Sequence, residues 1–256
     1  MREAISFTYD GISSDDKRVF IASPSGGLFD ESFMATRSIV ETKIPNNPNP
    51  YLQRVDYEPL SFPLSFYMDG WKYGENHREI AQWLFQSYYK PMTFETHPNR
   101  LVYALIEGDS RLIHNGFDGY VEMNVRCNSP WVYSFPHETE YVNANDNPND
   151  NILNSGDLPI KPKVWIKKIG AGSISITNKA NAQKVEITDL QDGEEVFIDF
   201  AREEIVSSLQ YLNIYHYDHH NDVWLQFELE DNELLYEGNF EIKYEYQYKY
   251  LNFWGE

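Results

Sequence analysis

Phe240-Glu241-Ile242-Lys243-Tyr244-Glu245-Tyr246-Gln247-Tyr248-Lys249-Tyr250 alternates without a break between apolar or aromatic and polar residues. A period of two is the mark of a β-strand with one buried and one solvated face. A helix would scatter the same aromatics around its circumference. Outward from this strand, the chain from residue 162 onward repeats the theme in short runs. Strands are expected at 162–169, 173–177, 184–188, 195–200, 204–207, 211–215, 223–229 and 239–250. Turn signals at Gly170-Ala171-Gly172, Gln191-Asp192-Gly193 and Asp231-Asn232 separate several of them. Short strands at such even spacing predict a β-sandwich or barrel.

The first half is also mainly β. Residues 2–9 alternate weakly and run into an Asp10-Gly11 turn. Val19–Ala22 is a short strand closed by Ser23-Pro24-Ser25-Gly26-Gly27, and residues 33–44 are extended. Pro45-Asn46-Asn47-Pro48-Asn49-Pro50 is an exposed loop, because proline lacks a donor and restricts its predecessor. Strand resumes at 57–68, where Pro59 and Pro63 indicate an edge or bulge. Asn76 to Tyr89 reads as a helix. Ile80, Trp83, Leu84 and Tyr88 share a face, Asn76 and Glu79 fit a capping box, and Pro91 stops it. Strands return at 92–96, 101–106, 111–113 and 117–126, with Glu107-Gly108-Asp109-Ser110 as a hairpin turn. A boundary falls near 130–160, where 143–157 has a loop's composition. The expected domains are 1–136, β-sandwich-like with one α-helix, and 137–256, a β-sandwich.

Charge separates the two halves. The chain carries 40 acidic and 21 basic residues, a net of −19. Residues 1–136 hold 17 acids and 12 bases (−5), and residues 137–256 hold 23 acids and 9 bases (−14). So acidic a chain does not bind nucleic acid through phosphates, which requires Lys and Arg to displace counterions. Acidity suits a crowded assembly, or a wall that DNA slides past. Cys127 is the single cysteine, so no internal disulfide or cysteine-rich zinc site is expected. Met1–Ser6 lacks an apolar segment and no run approaches a membrane span, so a soluble chain made in the cytoplasm is expected.

The motifs offer little catalytic chemistry. His216-Tyr217-Asp218-His219-His220-Asn221-Asp222 is rich enough in histidine to suggest a metal, yet reads as a solvated loop between two strands. Glu194-Glu195 and Glu203-Glu204 are adjacent in strands, so each pair splits across two faces instead of meeting across a cleft. Gly170-Ala171-Gly172-Ser173 lacks the Lys and the helix of a phosphate loop and reads as a hairpin turn. Cys127 sits in an apolar strand and is expected to be buried and inert. Trp165, Trp224 and Trp254 with Tyr215 and Tyr217 could form a sugar-stacking surface, although Trp165 and Trp224 have the apolar neighbours of core residues.

Several short motifs, in this order, resemble the distal tail protein (Dit) family of siphophages that infect Gram-positive bacteria. They are Phe7-Thr8-Tyr9-Asp10-Gly11-Ile12, Ile80-Ala81-Gln82-Trp83-Leu84, Phe117-Asp118-Gly119-Tyr120 and Ser129-Pro130-Trp131. In the second block follow Asn154-Ser155-Gly156-Asp157, Pro159-Ile160-Lys161-Pro162, Ile169-Gly170-Ala171-Gly172-Ser173-Ile174 and Glu195-Val196-Phe197-Ile198-Asp199. The resemblance spans essentially the whole chain and involves no catalytic motif. It implies a structural hub and not an enzyme, with no cofactor. The first domain would form a hexameric ring that continues the tail tube and surrounds the DNA channel. The second would be a galectin-like or carbohydrate-module-like sandwich on the outside. Implied partners are other copies of the chain, the tail tube protein, a tail-associated fibre or spike protein, and receptor-binding proteins or a host-wall saccharide. The second block holds no insertion large enough for a long arm. A heterologous ring needs two different surfaces per subunit, and the extension Lys43, Ile44, Pro45, Tyr51, Leu52 and Arg54 is the candidate reach toward a neighbour. The alternatives are a carbohydrate-binding module contacting the host wall through Trp165 and Trp224, and a glycosidase.

Overall fold

The alternation of residues 240–250 is a burial pattern in the folded chain. Phe240, Ile242, Tyr244 and Tyr250 are buried, and the charged positions between them are half exposed. The computed structural model describes residues 6–22, 33–71, 74 and 76–253. The expected strand over residues 2–5, the Ser23–Gly27 turn and Trp254 lie outside the described residues. The chain divides into two units, Met1–Tyr133 with Leu251–Glu256, and Ser134–Tyr250.

The first unit contains β1 (Phe7–Tyr9), β2 (Ile12–Ser13), β3 (Val19–Ile21), β4 (Arg37–Thr42), β5 (Tyr51–Tyr57) and β6 (Ser61–Met68), then α1 (His77–Leu84), β7 (Lys90–Phe94), β8 (His97–His114), β9 (Gly119–Cys127) and β10 (Val132–Tyr133). Its main sheet runs β2-β1-β7-β8-β9-β6-β3, antiparallel throughout, with β10 paired to β8. Helix α1 buries Ile80, Trp83 and Leu84. Trp83 stacks on Phe7 at 5.5 Å and donates its indole N–H to the Tyr9 carbonyl at 2.9 Å. The helix is therefore pinned to the first hairpin, which is why an aromatic sits at each site.

Three local expectations fail here. The helix ends at Leu84 and not Tyr89. Asn76 makes no capping bond, and Glu79 turns instead to Lys17 at 3.3 Å. Glu107–Ser110 is not a hairpin turn either. β8 continues through it as one strand, with a register irregularity between Glu107 and Arg111, and Gly108 takes φ +69° there. A bulge consumes the same turn-forming residues without reversing the chain. The reversal falls at Asn115–Asp118, where Asn115 Oδ1 accepts from the N–H groups of Phe117 and Asp118 at 2.8 Å.

The second unit contains β11 (His137–Glu138), β12 (Val142–Asn143), β13 (Asn149–Asn154), β14 (Lys163–Lys168), β15 (Gly172–Asn178), β16 (Gln183–Leu190), β17 (Glu195–Asp199), β18 (Glu204–Ser207), β19 (Glu230–Glu237), β20 (Phe240–Tyr246) and β21 (Lys249–Tyr250). One sheet runs β11-β20-β14-β17-β18, with β12 also on β20, and the other runs β13-β19-β15-β16. Their inner faces meet in one core that includes Val164, Ile166, Ile176, Ile187, Ile198, Leu234 and Ile242. Each such side chain stabilises by about 1.5–3 kcal/mol when buried. Surface pairs such as Lys163–Glu245 (2.6 Å) and Lys243–Glu138 (2.7 Å) are worth at most about 1 kcal/mol. The sandwich is held by its core.

The mainly β fold agrees with the sequence reading, but some strands move. Residues 143–157 hold β13, and Asp231-Asn232 lie inside β19, its hydrogen-bonded partner. Asn232 is fully buried, and its amide donates to the carbonyls of Ile152, Glu228 and Glu230. An asparagine that signals a turn in sequence here satisfies backbone groups inside the sheet. Residues 211–215 are no strand; a 3-10 turn occupies Gln210–Leu212. Residues 223–229 form no strand either and make one isolated bridge, Ile160 to Phe227.

Candidate assembly surfaces and buried polar clusters

β4 and β5 form a two-stranded arm of their own, with Ile39 opposite Val55 and a bulge after Val40. Lys43, Ile44, Pro45, Tyr51, Leu52 and Arg54 are all exposed on it or on its connecting loop. Ile39 is 61% exposed and Leu52 62%. An isolated hairpin is marginal in water, so these apolar side chains gain nothing where they stand. Tyr57 against Trp131 at 5.0 Å anchors the arm's base. Ser129 orders that corner: its hydroxyl accepts from the Trp131 N–H at 3.2 Å and the Tyr133 hydroxyl at 2.7 Å.

A second apolar surface lies between α1 and the β8–β9 hairpin. It is a groove of about 370 Å³ lined by Trp71, Leu84, Phe85, Ile106, Leu112 and Met123 among others. Trp71 covers the sheet at Gly119, where a Cβ would lie 2.3 Å from the indole ring. That approach accounts for glycine in the Phe117–Tyr120 motif. Phe85 and Leu112 reach solvent from the rim.

The two tryptophans singled out for sugar do not share a platform. Trp165 lies on the outer face of its sheet, between buried Val164 and Ile166, against Phe197 at 5.0 Å and with the Lys243 ammonium 5.4 Å from its ring. Trp224 packs against the core, edge-on to Phe200. The exposed aromatics of this unit lie elsewhere. Tyr211, Tyr215 and Tyr217, with Leu212, project from the loop between β18 and residue 220. That loop also covers a sheet edge, since the Ile205 N–H of β18 donates to the Tyr217 hydroxyl at 3.1 Å.

His216–Asp222 is only in part the solvated loop its composition indicated, with Tyr217, Asp218, Asn221 and Asp222 exposed but two histidines inside. His216 is 1% exposed and His220 7%. His216 Nε2 meets Glu194 Oε1 at 2.6 Å, and the Ser207 hydroxyl donates to the same oxygen at 2.5 Å. The Gln191 N–H donates to Oε2 at 2.9 Å. Burial alone would raise the Glu194 pKa, but the bonds from Ser207, Gln191 and His216 outweigh it and hold the carboxyl below its ordinary value. Serine and histidine both bond the carboxylate and not each other, so this is no nucleophilic triad. Glu194 and Glu195 do split, one inward and one outward, but sequence reasoning did not find Glu194's partners, Ser207 and His216, because only the tertiary fold brings them to it.

The remaining candidates are structural. Lys168 is buried, and its ammonium donates to the carbonyls of Ile169, Gly170 and Asn239. The Gly170 N–H is taken by Asp192 at 2.6 Å. The Gly170–Gly172 segment is thus a pinned turn. Cys127 is fully buried in β9, and burial pushes its thiol up to about 12. Among the described residues no group of three or more His, Cys, Asp or Glu is arranged to hold a metal, and no helix is long and apolar enough to cross a membrane.

This architecture has known relatives. Residues 2–129 match a family model described as Phage tail protein N-terminal domain, and residues 131–246 match one described as Phage tail C-terminal domain. The SPbeta prophage-derived uncharacterized protein YomH of Bacillus subtilis (strain 168) is 30% identical over 254 residues, covering 98% of this chain and 100% of that protein. Among solved structures, the SPP1 Dit (gp 19.1) protein, described as a paradigm of hub adsorption apparatus in Gram-positive infecting phages, has the same fold. It covers 96% of this chain and 99% of its own, with TM-score 0.69 and 15% identity. A chain of the phage P2 baseplate in its activated conformation with Ca covers 91% of each, with TM-score 0.50 and 6% identity. Matched along both units and to a full-length relative, this chain belongs to the phage tail protein family.

Proposed function

We propose that the chain is a structural hub of the tail tip, a distal tail protein at the end of the virion's long non-contractile tail. Six copies form a ring that joins the tail tube to the tail-associated fibre or spike protein and surrounds the channel through which DNA passes. The observation that carries this reading is the full-length likeness to the SPP1 Dit fold, across both units. The arm and the groove add support from physics. A closed heterologous ring needs two unlike complementary surfaces on each subunit. The exposed Ile39, Tyr51 and Leu52 of the arm and the apolar groove beside α1 are such a pair, both within residues 1–136. Most of the net charge of −19 lies in residues 137–256, on the unit this reading puts outside the ring, and suits solubility or basic partners more than the channel wall.

Light scattering on a sizing column at rising concentration, followed by negative-stain images, tests the proposal. A species of about six subunits with a central hole supports it. A strict monomer, both alone and when mixed with the tail tube protein, overturns it.

A second reading rests on the exposed Tyr211, Tyr215 and Tyr217 of one loop. Aromatic faces stack on saccharides, so the second unit is a candidate for host-wall sugar contact, compatible with the hub. Binding to cell-wall polysaccharide that persists in Tyr211→Ala/Tyr215→Ala argues against this loop as the site.

A further inference from the structure

His216 and His219 stand at either end of a single 3-10 turn, closed by the His219 N–H donating to the His216 carbonyl at 3.1 Å. Residues i and i+3 eclipse in that geometry, so the two imidazoles face each other. Each ring has a carboxylate on its far nitrogen. His216 Nε2 is 2.6 Å from Glu194 Oε1, and His219 Nε2 is 3.6 Å from Asp189 Oδ2. The Glu194 hydrogen bond at His216 Nε2 favours the proton there and frees Nδ1, the arrangement of metal-ligating histidines, while Asp189 lies beside His219 Nε2 beyond hydrogen-bond distance. The two Nδ1 atoms meet at 3.4 Å. That spacing suits one imidazole N–H donating to the other's lone pair, and equally two lone pairs sharing one cation. The distance also matches a metal's bite, since nitrogens about 2.05 Å from a tetrahedral ion stand about 3.3 Å apart.

We propose that His216 and His219 form a two-histidine site for a divalent transition-metal ion such as Zn²⁺, with Nδ1 of each as ligand. Water completes the coordination, because the described residues supply no third protein ligand in reach. Entry is from the His219 side, whose side chain is 37% exposed while that of His216 is fully buried. Imidazole pairs select Zn²⁺, Ni²⁺ or Cu²⁺ over the oxygen-seeking Ca²⁺ and Mg²⁺. Bound there, the ion locks the two rings of one turn together, and their Nε2 atoms face Glu194 and Asp189 beside β17 and β16.

The test uses the untagged full-length chain after chelator treatment. Zn²⁺ and Ca²⁺ are titrated separately by calorimetry and by thermal melting, and Co²⁺ is followed by its visible absorption. The proposal expects one Zn²⁺ per chain, a raised Tm, no response to Ca²⁺, and a tetrahedral Co²⁺ spectrum. Asp189→Asn should weaken Zn²⁺ about tenfold or more, and His219→Ala should abolish binding while the metal-free chain melts as before. Equal Zn²⁺ binding by wild type and His219→Ala overturns the proposal, as adventitious surface binding. No response to Zn²⁺, Ni²⁺ or Cu²⁺ overturns it too, and the pair then shares a proton as a purely structural clasp.

Discussion

Two segments of this protein expose apolar surface, and they are built in opposite ways. The β4–β5 arm projects Ile39, Tyr51 and Leu52 into solvent, and Tyr57 on Trp131 fixes its base. The loop of residues 208–222 projects Tyr211, Leu212, Tyr215 and Tyr217, yet is fastened from below by His216 on Glu194. Asn221 adds to the fastening by accepting the Glu186 N–H at 3.0 Å and donating to the Lys184 carbonyl at 2.8 Å. The contrast separates two uses of exposed hydrophobicity. A segment without internal support reaches its stable packing only in a partner. A segment pinned by buried polar bonds is presented ready-made.

Mutations break or sharpen that contrast. The largest effect on the fold is expected at Glu194→Ala, which leaves the Ser207 hydroxyl, His216 and the Gln191 N–H without their acceptor. At about 1–3 kcal/mol for each buried group left unsatisfied, urea unfolding should register a loss of at least about 3 kcal/mol. A smaller loss would mean that the loop is not fastened from below. Tyr217→Phe removes one bond to the edge of β18 and should cost about 1 kcal/mol, with amide exchange at Ile205 accelerated. Ile39→Asp with Leu52→Asp in the arm should change monomer stability by less than about 0.5 kcal/mol. The same pair should reduce the assembled species to a chain of 30.1 kDa by light scattering. Leu112→Asp, at the rim of the groove, should do likewise if the groove receives the arm. A destabilised monomer with an intact ring would reverse the assignment of the two segments.

Cys127 reports on the first unit independently. With its thiol raised to about 12, it should resist iodoacetamide at pH 8 until the chain unfolds, as mass spectrometry under increasing urea can follow. The linkage has a definite sign. An unfolded thiol ionises near pH 8.5 and the folded one does not, so the unfolded state sheds its proton first. Stability then falls as pH rises from about 8.5 toward 12. Buried tyrosines such as Tyr9 and Tyr246, also raised to about 12, add a slope above about pH 10. A Cys127→Ser variant should therefore lose the part between about pH 8.5 and 10.

Much of this was legible in the chain alone. The alternation of residues 240–250 and the short runs after 162 gave a sandwich, because period-two burial is written residue by residue. Phe7, Tyr9 and Trp83 gave the aromatic contact between hairpin and helix only as separate apolar positions. Composition misled where polar residues serve the interior. Asn232 reads as a turn and is a buried strand residue, and the histidines of 216–220 read as solvated and are largely inside. Gly108 reads as a reversal and is a bulge.

The sequence by itself determined the β character of both halves, the acidic imbalance, the single inert thiol and the exposure of Lys43–Arg54, since each depends on local pattern or on counts. Only the tertiary structure decided that residues 51–57 pair with 37–42 as a separate arm and that Trp165 and Trp224 part company. The same holds for Glu194, His216 and Ser207, which converge although 22 positions span them. The reason is physical. Strand register and the closure of long loops choose which polar groups meet, and no periodicity along the chain records that choice.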